Sequence, residues 1–254
     1  MKRAGKWIWS VLLALVASPC CGADLSAEQV RAALASVAPG ELADLSEKSL
    51  ENLDLSNLDF KRANLSGANL FGAKLVGTNL SGANLSGAKL DLAWIMRANF
   101  TSADLSNASL LGLVVSSGLE NNMAEAPIFK GAKLAGAHII ARLSRFDLSG
   151  ADLSGANMAP DLRNQSMGLM RTDLSGANLS GANLSKADIA FALMRFTDLK
   201  GAILRGANLN SADLSGADLT NADLTGADAT DADFGRAVLD GARGLDTVKG
   251  LTRR

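Results

Sequence analysis

Residues 63–70 read Ala63-Asn64-Leu65-Ser66-Gly67-Ala68-Asn69-Leu70, and this five-residue phrase returns along most of the chain. Leucine or an apolar substitute stands at 50, 55, 60, 65 and 70 and at every fifth position to 110. A helix cannot use that spacing. At about 100° per residue, five residues advance roughly 500°, so successive leucines would step round the axis by about 140° and build no apolar face. A straight strand fails too, because side chains alternate with period two and an odd interval throws consecutive leucines to opposite faces. The pattern works only if the chain bends once per repeat, returning each leucine to a common axis. Gly67, Gly72, Gly82 and Gly87, two residues after leucine, suit such a bend. The alanine two before leucine is the small residue that fits where the inner wall turns. Self-similarity of this kind dictates a stacked architecture and overrides the helix propensity of Ala and Leu.

The register holds from 50 to 110 and resumes at Phe129, Leu134 and Ile139. It shortens by one to Leu148, Leu153 and Met158, then runs from Leu169 or Leu174 to Leu239, for about 34 repeats. From about Leu50 to Leu239 the chain resembles the pentapeptide-repeat family, whose consensus is A-(D/N)-L-x-x. The resemblance implies a right-handed, four-sided β-helix with one pentapeptide per side, the Leu and the preceding Ala facing inward and the other three residues outward. The expected fold is therefore an all-β solenoid, a right-handed quadrilateral β-helix of about eight coils with an N-terminal capping α-helix. With adjacent strands about 4.8 Å apart it is a rod of about 40 Å. Each buried leucine contributes about 2 kcal/mol, and each layer is completed only by its neighbours.

Composition narrows the function. Of 254 residues 43 are Ala, 42 Leu and 25 Gly, aromatics are 4%, Tyr is absent and His occurs once. Most of the usual general acids, metal ligands and base-stacking side chains are thus missing. The expectation is no enzyme, no catalytic residue, no cofactor and no metal. Basic and acidic residues number 25 and 26, but Lys2, Arg3 and Lys6 belong to a leader, leaving 22 against 26 and a net charge of about −4. That balance offers no footprint for nucleic-acid phosphates, so no direct nucleic-acid binding is expected.

The leader has three parts: the basic residues, an apolar run from Trp7 to Ala17, and Pro19 with small residues ending at Ala23. This is the pattern of a secretory signal peptide, with an apolar run too short to span a bilayer. Cleavage near Ala23 removes both Cys20 and Cys21; acylation of either cysteine is the lesser alternative, disfavoured by Pro19. The mature protein is expected in the periplasm or secreted, with no transmembrane segment after cleavage. The domain reading is a signal peptide over 1–23, a capping helix and lead-in over 24–49, the β-helix over 50–245 and a tail over 246–254. Ser26 and Gln29 form a capping-box pattern, and Val30, Ala33, Leu34 and Val37 make one stripe before Pro39-Gly40, which predicts a helix near Ser26 to Val37 covering the first coil. Residues 116–127 and 159–168 lack the repeat and carry Pro, Asn and Gly, so they are expected to protrude as loops.

Asp213, Asp218, Asp223, Asp228 and Asp233 look like a catalytic or calcium array, but their fixed place in the repeat sends them to successive sides. Only Asp213 and Asp233 share one, and solubility with local backbone hydrogen bonding accounts for all five. His138 precedes Ile139, faces outward and has no second histidine or cysteine. The informative residues break the polar rule. Phe71, Val76, Leu92, Trp94, Met96, Leu111 and Val114 all hold outward positions on two adjacent sides of three successive coils, a stripe of the kind that marks an interface, with Trp94 its natural anchor. Phe191, Leu193 and Phe196 form a smaller second patch. The competing reading covers the stripe with the 116–127 loop, through Leu119 and Met123.

The function that follows is a non-enzymatic exported scaffold or interaction module. Its partner is an unidentified protein, or a second copy docking by the stripe or by the C-terminal coil around Phe234 and Leu239. The resemblance brings one alternative, since some family members mimic a DNA duplex and act on gyrase. A cytoplasmic target is hard to reconcile with the leader.

Overall fold

The computed structural model describes residues 22–38, 41–118, 122–163 and 170–251. The apolar run expected to form a signal peptide, Cys20, Cys21, the Pro39-Gly40 stop and Leu119 lie outside them.

Every repeat bends as its spacing demands. The carbonyl of the inward leucine accepts from the N–H three residues on, as in Leu65 O from Ala68 N at 3.1 Å and Leu70 O from Ala73 N at 3.0 Å. The third residue of each such turn has φ near +60°, the demand a type II turn makes. Between turns the backbone pairs in parallel with the next coil: Leu65 N donates to Asn84 O at 2.7 Å and Asn84 N to Ala63 O at 2.9 Å.

Bridges then recur at an interval of 20, and starting points five residues apart (Asp44, Ser49, Asp54, Asp59) found four separate ladders. The rod is four-sided because four pentapeptides close one coil. Each side is so short that pairing spans a single residue almost everywhere; three consecutive residues pair between β1 (Ser109–Leu111) and β2 (His138–Ile140). Among the described residues the ladder from Asp44 to Arg243 stacks ten positions through nine bridges, where counting from Leu50 predicts about eight coils. The stack is longer at both ends. It starts with Ala43-Asp44-Leu45, whose leucine is buried, and reaches Lys249, which bridges Asp228.

The interruptions change the interval without losing a face. Asn99 bridges Ile128 and Asp104 bridges Lys133 at 29 residues, Ile128 bridges Asp147 at 19, and Asp147 bridges Asn178 at 31. The first insertion holds a 3-10 turn, Met123–Glu125. Glu125 clasps its ends by accepting from Ser117 N and from the hydroxyls of Ser116 and Ser117 at 2.8–3.0 Å.

Inside, the leucine and alanine columns form one continuous core. Phe100 and Phe129 stack across the first insertion with ring centroids 4.9 Å apart. Thr78, Thr172 and Thr197 take alanine positions and are buried, each hydroxyl held by main-chain carbonyls. Thr172 Oγ1 reaches both Ile139 O at 2.8 Å and Met158 O at 2.9 Å, tying two coils at the second insertion.

At the N-terminus α1 spans Ala27–Ala35, with Ser26 as its cap and a reciprocal bond to Gln29. Val30 is fully buried in the core cluster. Asp24 holds the edge of the first coil by donating to Ser49 O at 2.7 Å and accepting from Ser49 N at 2.8 Å. At the other end the inward Phe234 and Leu239 are only half-buried.

Candidate interaction face

The ladder that begins at Asp54 organises the outward apolar residues. It runs Asp54, Lys74, Trp94, Val114, and, beyond the first insertion, Arg142, Asp173, Leu193, Asp213, Asp233. Arg142 belongs to this face because it falls between His138 and Asp147, which sit on the flanking ladders. Trp94 and Leu193 therefore point from the same side of the rod.

The two corners beside this face complete the set. Leu92 follows Lys89 by three residues and Phe191 follows Asp188 by three, and Lys89 and Asp188 share a ladder, so both lie on one corner. Met96 and Phe196 follow Trp94 and Leu193 by two and three, which puts them on the other. Phe71 stands below Leu111 on the first corner, their carbonyls taking the N–H groups of Asn52 and Leu92 at 2.9 and 2.8 Å. Val76 lies beneath Met96, whose carbonyl accepts from Gly77 N. The stripe and the second patch, separate in sequence, share one face and its two corners.

Exposure divides the set. Trp94 is 41% exposed, Leu92 48% and Phe196 73%, and Phe71 is exposed as well. Val76, Leu111, Val114, Phe191 and Leu193 are half-buried. Met96 departs from expectation, at 8% exposure. Its neighbour Arg97 donates to Glu125 O at 2.7 Å, so the first insertion lies against this corner. Of the two residues offered as a cover for the stripe, the described one, Met123, is itself exposed, as are Trp94 and Leu92.

Leu92, Phe191 and Phe196 have φ of 58°, 62° and 54°, at turn positions filled elsewhere by glycine or by polar residues such as Asn52, Arg62 and Ser102. Left-handed backbone is strained for residues with such side chains. Glycine on the next coil accommodates two of them: a Cβ on Gly112 would lie 2.8 Å from Leu92 Cδ2, and one on Gly216 would lie 2.5 Å from the Phe196 ring. The spacing carries this signal, since each residue stands two after an inward position, the place of Gly67 and Gly72 in other repeats.

Charge is arranged around the apolar residues. Lys74 Nζ sits 5.8 Å from the Trp94 ring centroid, within range of a cation–π contact. Between Val114 and Arg142 the face opens into a cleft of about 470 Å³, lined by Val114, Ser116, Ile140, Arg142, Met170 and Arg171. Sequence reasoning missed it because it forms where the two insertions meet the same face.

The aspartate array does local work. Asp213, Asp218, Asp223 and Asp228 each accept through Oδ1 from the N–H and hydroxyl of the Ser or Thr two residues on. Their Oδ2 atoms pair with Arg195, Lys200, Arg205 and Lys249 respectively. The Thr220 hydroxyl and then Lys200 lower the Asp218 carboxyl to about 2, and the Thr225 hydroxyl leads in holding Asp223 at about 2. Lys249, followed by Thr230, drives Asp228 well below the usual carboxylate range. Asp213 and Asp233 are bridged neighbours on one side, as their spacing requires. His138 is a half-buried outward residue of β2. Among the described residues no group of three or more His, Cys, Asp or Glu could hold a metal ion, and no helix is long and apolar enough to cross a membrane.

A family model described as pentapeptide repeats matches in eight copies, over residues 43–70, 63–101, 169–206 and 207–243. A search of curated proteins gave no match. Among solved structures, HetL, a pentapeptide repeat protein involved in heterocyst differentiation regulation from the cyanobacterium Nostoc sp. strain PCC 7120, is 32% identical. That alignment covers 76% of this chain and 86% of HetL, with a TM-score of 0.31. Rfr23 from the cyanobacterium Cyanothece 51142 is 26% identical over 69% of this chain and 90% of its own, with a TM-score of 0.32. QnrB1, a plasmid-mediated fluoroquinolone resistance protein, is 21% identical over 77% and 88%, with a TM-score of 0.37.

Proposed function

The chain belongs to the pentapeptide-repeat family, and from that premise we propose that it is a non-enzymatic, exported interaction module holding a protein partner against one face of the rod. The observation that carries this reading is the coincidence of two costs at the same residues. Leu92 and Phe196 are apolar, largely exposed and held in left-handed backbone. Each would be cheaper as asparagine, which stands at the same turn position in Asn52, Asn107 and Asn221. A site that is worse for the isolated rod is explained by something the isolated rod lacks, a partner.

The rest of the molecule serves presentation. The coil stack gives a stiff support, α1 acts as the lid of the first coil through Val30, and the leader sends the protein to the periplasm or outside the cell. Mimicry of a DNA duplex toward gyrase would want unneutralised negative charge, whereas Asp213, Asp218, Asp223 and Asp228 are each paired with a cation.

Cell fractionation with N-terminal sequencing tests export: a mature chain starting near Asp24 is expected, and a cytoplasmic, uncleaved product would overturn it. Trp94→Glu tests the face. It should abolish co-purification of the partner, or dissociate a homodimer seen by light scattering, while leaving the thermal melt unchanged. Unaltered capture and oligomeric state, with Trp94 emission that of a solvated indole, would refute the interface.

A further inference from the structure

We infer that the occupant of this face is a second copy of the chain, turned end over end, so that the Trp94 patch of each rod seats on the Leu193 patch of the other. The inference deepens the interaction-module reading and rests on it.

Position supplies the symmetry. On this face Trp94 stands two coils to one side of Arg142, through Val114, and Leu193 stands two coils to the other, through Asp173. At about 4.8 Å per coil, each patch lies roughly 10 Å from that level. A two-fold axis crossing the face there lays the rods antiparallel and keeps each corner on its own side. Trp94 then meets Leu193 of the second copy. Leu92 meets Phe191, because each stands two residues before its ladder position, and Arg97 meets Phe196, because each stands three after. One docking covers both patches of both rods, and a contact of this isologous kind closes at two copies.

Charge complements in the same sense. Lys74, one coil beyond Trp94, and Arg97 beside it are exposed and form no ion pair among the described residues. One coil beyond Leu193 stands Asp213, and beyond it the exposed Asp233, while Arg195, the cation of that patch, is taken up by Asp213. The rotation carries Lys74 over Asp213 with Asp233 one coil away, and Arg97 over the Phe196 ring, where a guanidinium is favoured. The like charges Asp54 and Asp233 meet at the end of the strip, with Lys74 next to both. A parallel two-fold would instead set Lys74 against Lys74 and Trp94 against Trp94, so the patches fit each other better than either fits itself. Arg142, on the axis, is already engaged within its own chain, and the face recedes into the cleft at that level, so contact is made on either side of it. From Lys74 to Asp213 is six coils. That is about 29 Å, and with both corners the strip is about 20 Å wide, so it buries on the order of 600 Å² per copy. The total of about 1,200 Å² is at the low end for a specific interface, which makes the dimer a micromolar one.

The test weighs the purified chain by sedimentation equilibrium from about 1 to about 100 µM. The mass is expected to double across that range and to stop at two copies, and Leu193→Glu should weaken association at least tenfold. Orientation is read by disulfide capture in a Cys20→Ser/Cys21→Ser background. A mixture of the Leu92→Cys and Phe191→Cys variants should cross-link to each other at least tenfold faster than either does alone, since across the axis each lies four coils, about 19 Å, from its own counterpart. The mass of the unaltered chain tests the inference whether or not the variants fold. A chain that stays monomeric to about 100 µM, or one that grows past two copies, would overturn it. So would a dimer indifferent to Leu193→Glu, or one in which Leu92→Cys cross-links to itself. If the chain is monomeric and Trp94→Glu abolishes its capture of another protein, the second copy is refuted and the interaction module stands; if Trp94→Glu changes neither mass nor capture, both fall.

Discussion

Replacing Phe196 by asparagine should make the rod more stable and a poorer binder. The magnitude follows from two local quantities. Phe196 holds φ 54°, and left-handed backbone costs a residue with a β-carbon about 1–2 kcal/mol, a cost asparagine largely escapes. Against this stands the burial of the ring. Full burial of a phenylalanine is worth up to about 3 kcal/mol, and with 73% of the residue exposed about a quarter of that, roughly 0.8 kcal/mol, is lost on substitution. The balance is a stabilisation of about 0.5–1 kcal/mol, which for a chain of this size raises Tm by about 1–4 °C. Because a solenoid can open locally, urea unfolding should be paired with hydrogen exchange at Ser215 and Gly216, whose coil lies directly over the ring. The same variant should lose partner capture. A destabilisation of more than about 1 kcal/mol would show that the ring holds coils together, and the inference from strain to binding would fail at this residue.

Gly216→Ala should push the Phe196 ring aside, because the new Cβ would sit 2.5 Å from it at φ +70°. The cost of about 1–2 kcal/mol should fall by at least about 0.5 kcal/mol in a Phe196→Asn background, a coupling that a double-mutant cycle detects and strict additivity would disprove. Thr172→Val keeps the shape but removes the hydroxyl serving Ile139 O and Met158 O, so a loss of about 1–3 kcal/mol is expected by urea unfolding, with wild-type stability as the contrary result. Asp218 and Asp223 have carboxyls lowered to about 2 in the folded state. Their contribution is complete above the unfolded value near 4 and disappears as pH falls through about 2. Melts at pH 5 and pH 2 should converge between wild type and the Asp218→Asn/Asp223→Asn variant at the lower pH, and a constant gap would refute the assignment. Ser26→Ala should cost about 1 kcal/mol by removing the cap of α1, read as faster exchange of the Gln29 amide; unchanged exchange would count against that capping bond.

The inward half of the fold was legible because it repeats. Leu65 and Ala68 announce the same geometry as dozens of equivalents, and one error of register would have shown at every fifth residue. Ser26 and Gln29 were legible for a different reason, a local reciprocal bond that needs no tertiary knowledge. The burial of Met96 was not, since it depends on where the insertion ending at Glu125 comes to rest, and no periodicity governs that. The alignment of Trp94 with Leu193 was hidden by the intervals of 29, 19 and 31 residues between them. Counting fives across those breaks loses the face. Hydrogen bonding keeps it, because an insertion that fails to return the chain to its ladder would leave a whole coil of N–H and carbonyl groups unmatched.

That last constraint bears on how one face came to differ from three others. Repetition makes the sides of a pentapeptide rod nearly equivalent, each a row of Asn, Asp, Ser and Thr whose side chains bond to their own turns, as Asn84 to Ser86 and Asp218 to Thr220. A partner can recognise such a surface only where the repeat is broken in side chain or in backbone. Substitution alone supplies Leu92, Trp94 and Phe196, and insertion alone supplies a cleft with Arg142 and Arg171. Both fall on the ladder that begins at Asp54 and on its corners. Were one further pentapeptide built into the regular coil between Asp173 and Leu193, the pairing would still close but every later side chain would move one side round the rod. Leu193 would then leave Trp94 and the face would split in two. Adding one Ala-Asn-Leu-Ser-Gly repeat after Gly181 therefore separates the two ends of the face while keeping the inward columns, and it should preserve cooperative unfolding while abolishing partner capture. Binding that survives such a rotation would refute the idea that the two patches act as one.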